Sequence, residues 1–259
     1  GEWITTANGK AKLLATTLSE KFILPPQETN CYTALAYEEE EEDWEIGEPE
    51  VVEKVLSHLR DESSTGPDGI PTRLLHYYAK ELSFPLHKLV SRILETGRWP
   101  QQWLQHWIIP LYKKKAVWNP SNYRGIHLTA QPFKCTERVM QQAFEEYLCS
   151  DKVAGVNQFA YKRKKGSRDN LALLLLTWIQ GFNNQKKFVV YCSDVSGAFD
   201  RVKTTRLMEK LKAKGVPERW LTLFESWLRA RPAHVAVGGS YSRAMTLQDM
   251  LFQGTVWGP

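Results

Sequence analysis

The chain has 259 residues, 42% of them hydrophobic and 24% charged, a composition that supports a buried core and excludes collagenous, low-complexity and disulfide-dense classes. Its formal charge of +5 is uneven: residues 1–60 carry 13 acidic and 5 basic side chains, whereas residues 61–259 carry 16 acidic and 29 basic, a body basic enough to suit a polyanionic partner. Cys31, Cys135, Cys149 and Cys192 show no zinc-type spacing and read as reduced thiols, mostly buried. The longest apolar run, Leu171 to Ile179, is too short to span a bilayer, so no membrane partner is expected.

In chain order, residues 1–50 read as a lead-in whose segment "YEEEEEDWEIGEPE" is a solvated charge run. No signal peptide is visible and the first residue is Gly, so the expectation is an intracellular protein, seen here as a piece of a longer one. From Pro49, the spacing of Val51, Val52, Val55, Leu56 and Leu59 predicts a helix. "SSTGPDGIPTRLL" is punctuated by Gly66, Pro67 and Gly69 and restarts at Pro71. Leu86, Leu89, Val90, Ile93 and Leu94 predict an amphipathic helix that Gly97 can end. "HWIIPLY", 106–112, predicts a strand whose Pro110 requires an edge or an irregularity, and Lys113, Lys114 and Lys115 follow it.

Met140, Ala143, Phe144, Tyr147 and Leu148 predict a helix to about Cys149. "NLALLLLTWI" predicts a helix capped by Ser167 or Asp169, apolar on nearly every side and hence central. "KFVVYCSDV" reads as a buried strand, followed by helices near 204–214 and 218–230; "AHVAV" and "RAMTLQDMLF" read as strands on either side of the Gly238-Gly239 turn. The class is mixed α/β with segregated elements, of the α+β kind.

A carboxylate at the exit of a buried strand can hold a hard cation such as Mg²⁺, which takes one or two carboxylates together with substrate phosphates. Asp194 has that place, with Phe199 set to lie beside whatever the cation holds; taken alone, Asp194 would sooner be read as capping the following turn. At the far end, "FQGTVWGP" sets Gln253 beside Gly254, which allows close backbone approach.

With these residues in place the chain resembles a reverse transcriptase of the non-LTR retrotransposon type. Asp194, Ala198, Phe199 and Asp200 match the family's Asp-x-x-x-Ala-Phe-Asp block, and Gln253-Gly254 with Pro259 resembles the block lying against the incoming nucleotide. "STGPDGIP", "IIPLYKKK" with "NPSNYRGIHLT", and "NQFAYKRKKGSRDNLA" resemble earlier blocks in the family's order, and "GKAKLLATTLSEKF" is similar to its pre-polymerase segment. Gly125 replaces a proline of the pattern, Ala160-Tyr161 a Gly-Phe, and Leu251-Phe252 a Val-Pro. The paired aspartates that complete the family's metal site do not occur before Pro259, so this chain alone is expected to be incomplete and inactive.

The resemblance implies a right-hand polymerase fold: a pre-polymerase linker over 1–50, a fingers-like region over 51–187 and a partial palm over 188–259. It implies RNA-directed DNA synthesis, nucleotidyl transfer from a dNTP to a primer 3′ hydroxyl with two Mg²⁺ ions, or Mn²⁺ in their place, and RNA template and DNA primer or target as partners. Residue by residue it implies Asp194 and the Val195 carbonyl as metal ligands and Phe199 as a gate against a ribose 2′-OH. Lys113 and Arg124 fall on the triphosphate, Gln253 and Gly254 on the nucleotide. Gly66, Lys162, Arg163, Lys164, Lys165 and Arg168 fall on the nucleic-acid backbone, with Tyr161 available for stacking. Asp200 would support the metal site or cap the next helix. By family, the protein would reside in nucleus and cytoplasm. A non-catalytic RNA-binding remnant and a group II intron maturase-like protein are the alternatives. An aspartyl phosphatase would need a second acid where Ser196 stands. Uncovered strand edges and apolar surface predict marginal solubility.

Overall fold

The computed structural model describes residues 3–23, 44–195 and 197–258, apart from the side chain of Lys152. Cys31, the acidic run 38–43 and Ser196 lie outside the described residues. Two compact units are present: residues 1–143 with 197–259, and residues 144–196.

The larger unit is built on a mixed sheet. β1 (His106–Tyr112) pairs antiparallel with β2 (Tyr123–Leu128) and parallel with β3 (Arg231–Val237), which in turn pairs with β4 (Ser240–Tyr241) and β5 (Met245–Leu247), both antiparallel. The β1 strand has the bounds its sequence predicts. Its pairing with β3 covers only residues 106–108, so Pro110 falls where β2 is the sole neighbour and its missing N–H is tolerated.

α1 (Ala7–Lys21) begins at an N-cap Thr6, whose hydroxyl accepts the Gly9 N–H at 3.2 Å, and buries Ala11, Leu14 and Leu18. It packs on β3, β4 and β5, so the lead-in contributes a structural helix. The charge run likewise ends in an anchor: Trp44 is buried, and its carbonyl accepts the Trp220 indole N–H at 3.1 Å. α2 (Pro49–Ser57) starts on a proline, and α3 (Thr72–Tyr77) leads into α4 (Ala79–Thr96), which Gly97 closes in the left-handed region with φ 62°. α8 (Thr204–Ala213) and α9 (Glu218–Leu228) follow the predicted pattern. The first amide of α8 is capped by Asp249 Oδ1 at 3.2 Å, a role the sequence reading offered to Asp200.

The GPDG segment is held by contact at Gly66. A β-carbon there would stand 2.3 Å from the Thr129 carbonyl oxygen and 2.6 Å from Ala130 Cα, both rigid backbone at the entry to α5 (Gln131–Leu148). Gly66→Ala is therefore expected to lower stability by about 3 kcal/mol through overpacking, read as a fall in the denaturant midpoint at unchanged m-value.

The smaller unit holds the end of α5, α6 (Asp151–Ala154) and α7 (Ser167–Asn183). Asp169 Oδ2 accepts the Gly166 N–H at 2.8 Å and caps α7, one of the two predicted caps. The expected burial of α7 is corrected: Leu171, Leu173, Leu175, Leu176 and Ile179 are all exposed. The expected strand at 187–195 is corrected too. Those residues enter no ladder, with Val189 98% and Tyr191 88% exposed, because their unit contains no strand to pair with among the described residues. An apolar run permits a strand; the strand itself needs a partner. Of the thiols, Cys135 is buried as expected, whereas Cys192 is exposed.

Candidate functional site

In the larger unit, several of the residues expected at the site gather along β2. The strand presents Arg124 to solvent, and at its far end the His127 N–H donates to the Gln253 carbonyl at 2.7 Å. That bond lays the 252–254 segment beside β2 like a short added strand. Gly254 sits at φ 106°, where a β-carbon would meet the His127 carbonyl oxygen at 2.9 Å, so close approach and backbone conformation both require glycine. Gln253 is half-buried.

The Phe199–Arg201 turn joins this arrangement through the residues that flank Gln253-Gly254. The Leu251 N–H donates to the Phe199 carbonyl at 2.9 Å, and Phe199 lies 3.6 Å from where a Gly258 β-carbon would be. Asp200, next in the turn, is half-buried; burial raises its carboxyl above the usual range while Lys21, Arg124 and Arg201 pull it back. Lys21, from α1, donates to the carbonyls of Ser121 and Tyr123 at 2.8 and 3.1 Å and so braces the residues just ahead of Arg124. Its own ammonium is held below the usual lysine range by burial, with Asp200 opposing that shift and Lys113 adding to it. Lys113 is exposed at the end of β1, its N–H bonded to the Asn122 carbonyl at 3.0 Å. The structure thus brings Lys113, Arg124, Phe199, Asp200, Gln253 and Gly254 into one unit around β2, joined by Lys21, which the residue patterns did not single out. Arg124 and Lys113 present exposed cationic groups, and Gln253 adds an amide: a set suited to a polyphosphate and a base.

The remaining predicted residues belong to the smaller unit, apart from Gly66. Asp194 and Val195 are exposed on the unpaired 187–195 segment. Among the described residues no group of three or more His, Cys, Asp or Glu side chains could hold a metal ion. Asp194 with one backbone carbonyl does not by itself fit a divalent cation, which needs about six oxygens.

The basic loop is corrected in part. Lys162 is buried and donates to Asp151 at 2.6 Å and to the Gly155 carbonyl at 2.8 Å, because the loop needs a counter-charge and a donor in its interior. Arg163 forks onto Glu145 at 2.6 and 3.1 Å, and Lys165 reaches Asp151 at 3.1 Å. Those two are surface pairs and stay available for exchange. Lys164 and Arg168 are exposed with no ion pair among the described residues, and Tyr161 is exposed at φ 61°.

Beneath the 252–258 segment lies a buried polar network that periodicity and spacing did not reveal. Arg231 Nη1 donates to His106 Nε2 at 3.2 Å, which fixes the His106 proton on Nδ1; that proton points to His127 Nδ1, also at 3.2 Å. Both rings are therefore neutral. Burial, then Arg231, pushes His127 down to about 3, and His106 is held well below the usual range by burial, Arg231, His127 and Lys134. The guanidinium of Arg231 also lies 4.4 Å from the Phe252 ring centroid and donates to the Trp227 carbonyl.

This chain belongs to the reverse transcriptase (RNA-dependent DNA polymerase) family, which matches residues 112–259, more than half its length. It is 26% identical over 81% of its length to the "Probable RNA-directed DNA polymerase from transposon BS" of Drosophila melanogaster, of which the match covers 23%. It is also 24% identical, over its whole length, to the "RNA-directed DNA polymerase from mobile element jockey" of the same fly, of which the match covers 29%. These relatives bear out the expected kinship with non-LTR retrotransposon reverse transcriptases, and the chain spans less than a third of their length. The mixed helix-and-sheet fold agrees with that family. No helix among the described residues is long and apolar enough to cross a membrane.

Proposed function

We propose that this segment forms the fingers and the start of the palm of an RNA-directed DNA polymerase that extends a DNA primer on an RNA template. The observation that carries the reading is the convergence of Arg124, the Phe199–Arg201 turn and Gln253-Gly254 on β2, in a chain of the reverse transcriptase family. Residues 1–50 then lead in, 51–187 serve as fingers and 188–259 as palm.

Arg124 would grip the dNTP triphosphate with its fork of donors, with Lys113 adding charge and Lys21 holding the strand from behind. Phe199 would crowd a ribose 2′-OH, and Gln253, held against β2 by the close approach at Gly254, would orient the nucleotide. Asp194 and the Val195 carbonyl are our candidates for two of the oxygens on a divalent cation, Mg²⁺ first and Mn²⁺ second; that cation would screen the triphosphate charge, and its other oxygens would lie outside the described residues. Lys164 and Arg168, with Arg163 and Lys165 on exchange from their surface pairs, would follow the template or primer backbone. Lys162 would serve that loop as an internal brace, and Gly66 the seating of the GPDG segment on α5. Nucleus and cytoplasm are the proposed compartments.

Arg124→Ala in the full-length protein is expected to reduce dNTP incorporation on an RNA template roughly 10- to 100-fold, the worth of one charge-assisted contact. The check is primer extension with Mg²⁺ or Mn²⁺. A full-length protein that binds RNA yet extends no primer with either ion would overturn the polymerase reading in favour of an RNA-binding remnant.

A further inference from the structure

Glu137 lies fully buried on α5, outside every motif that carries the family resemblance. Its carboxylate accepts the Trp227 indole N–H at 2.7 Å through Oε1 and the Val256 backbone N–H at 3.1 Å through Oε2. Its own backbone carbonyl accepts the Trp257 indole N–H at 2.8 Å. Two of these three bonds go directly to the segment that follows Gln253-Gly254. The third goes to Trp227, whose ring lies 5.1 Å from Phe252 and 5.7 Å from Trp257. Phe252 on one side of Gln253-Gly254, and Val256 and Trp257 on the other, are thus tied to a single residue of α5. Between these anchors, the Gln253 carbonyl accepts the His127 N–H.

We propose that Glu137 is a positioning residue for the nucleotide site: it anchors the 252–258 turn from beneath so that Gln253 and Gly254 stand at a fixed height against β2. The inference rests on the polymerase reading for its consequence and on the three hydrogen bonds for its geometry. A carboxyl group this deep is retained only with its acceptors filled, and both of its oxygens here take a donor from outside α5. Glutamine in its place has one oxygen for two donors and presents an NH₂ to the second. Alanine has none.

The test uses the full-length protein with Glu137→Ala and, as the milder change that keeps the side-chain volume, Glu137→Gln. Hydrogen exchange by mass spectrometry is read over 252–258, and steady-state primer extension is read as separate dNTP and template–primer KM values. The expected result is amide exchange at least roughly tenfold faster in 252–258 with exchange in β1 unchanged, and a dNTP KM raised about tenfold at near-constant kcat and template–primer KM, the Gln variant lying between wild type and Ala. A wholly structural role would lower the apparent kcat through lost folded protein and leave both KM values unchanged. Unchanged exchange at 252–258 in both variants would overturn the anchor. Faster exchange with an unchanged dNTP KM in an active enzyme would overturn the positioning role. A wild-type protein with no primer extension would sink the polymerase reading instead, leaving the exchange data to decide the anchor alone.

Discussion

Asp194→Ala in the full-length protein is expected to lower primer extension by roughly a thousandfold or more while leaving the thermal midpoint of this segment unchanged. The two halves of that result have separate causes. A carboxylate that holds a divalent cation against a triphosphate contributes several kcal/mol where charge develops, and each 1.4 kcal/mol is a factor of ten in rate. The same carboxylate is exposed and lies on a segment that enters no ladder, so its loss removes no packing and unsatisfies no buried group. Stability is read by thermal melting of the variant beside wild type, and rate by single-nucleotide incorporation. A variant retaining a tenth of wild-type activity would exclude Asp194 from the metal site. A variant losing both activity and several degrees of midpoint would show that the side chain holds structure. The comparison with Gly66→Ala, where stability falls because a β-carbon meets backbone at 2.3 Å, separates a residue that acts in chemistry from one that acts in packing.

The elements legible in the sequence are those whose signals are local. β1 keeps its predicted bounds because its apolar run is flanked by Gln105 and Lys113, and α4 ends at Gly97 because a left-handed residue is needed there. Gln253-Gly254 was readable because glycine beside a functional amide signals close backbone approach, and the His127 contact fulfils that requirement. Properties that depend on distant partners were not readable. The apolar content of α7 and of residues 188–195 suggested burial, but apolar content alone names no covering partner, and these residues are largely exposed. Lys162 has the same local sequence character as Lys164, yet one is buried on Asp151 and the other is exposed; only the fold of the loop decides between them. The helix in the lead-in did leave a signal, Ala11, Leu14 and Leu18 at helical spacing, that the neighbouring charge run obscured. Glu137, Arg231, His106 and His127 left none, since burial of a charged or polar residue is set by the elements that close over it.

That buried network makes the fold sensitive to acid. In the unfolded chain His106 and His127 take up protons near their ordinary value of 6.5, whereas in the fold His127 resists protonation down to about 3 and His106 is held well below the usual range. The unfolded chain therefore binds more protons as the pH drops below 6.5, and stability contributed by the neutral rings, complete above that value, is lost progressively. Glu137 acts in the opposite sense. Burial pushes its carboxyl up to about 7 against the bonds from Val256 and Trp227 and the charges of Lys134 and Arg231, so between 4.5 and 7 the fold holds a proton that the unfolded chain releases. Two histidines against one glutamate leave a net slope of about one proton between pH 6.5 and 5, a loss on the order of 2 kcal/mol over that interval. Asp68 and Asp200, both raised by burial, act in the same direction as Glu137. Replacing His127 with glutamine removes one of the two histidine contributions and should bring the slope between pH 6.5 and 5 close to zero, whereas Glu137→Gln removes the opposition and should roughly double it. Urea midpoints at pH 5, 5.75 and 6.5 for the three proteins give the slopes directly. A wild-type chain that gains stability on acidification through this range would mean that the His106 and His127 rings are protonated in the fold, and that the Arg231–His106–His127 relay of hydrogen bonds is not the one that holds β1, β2 and β3 together.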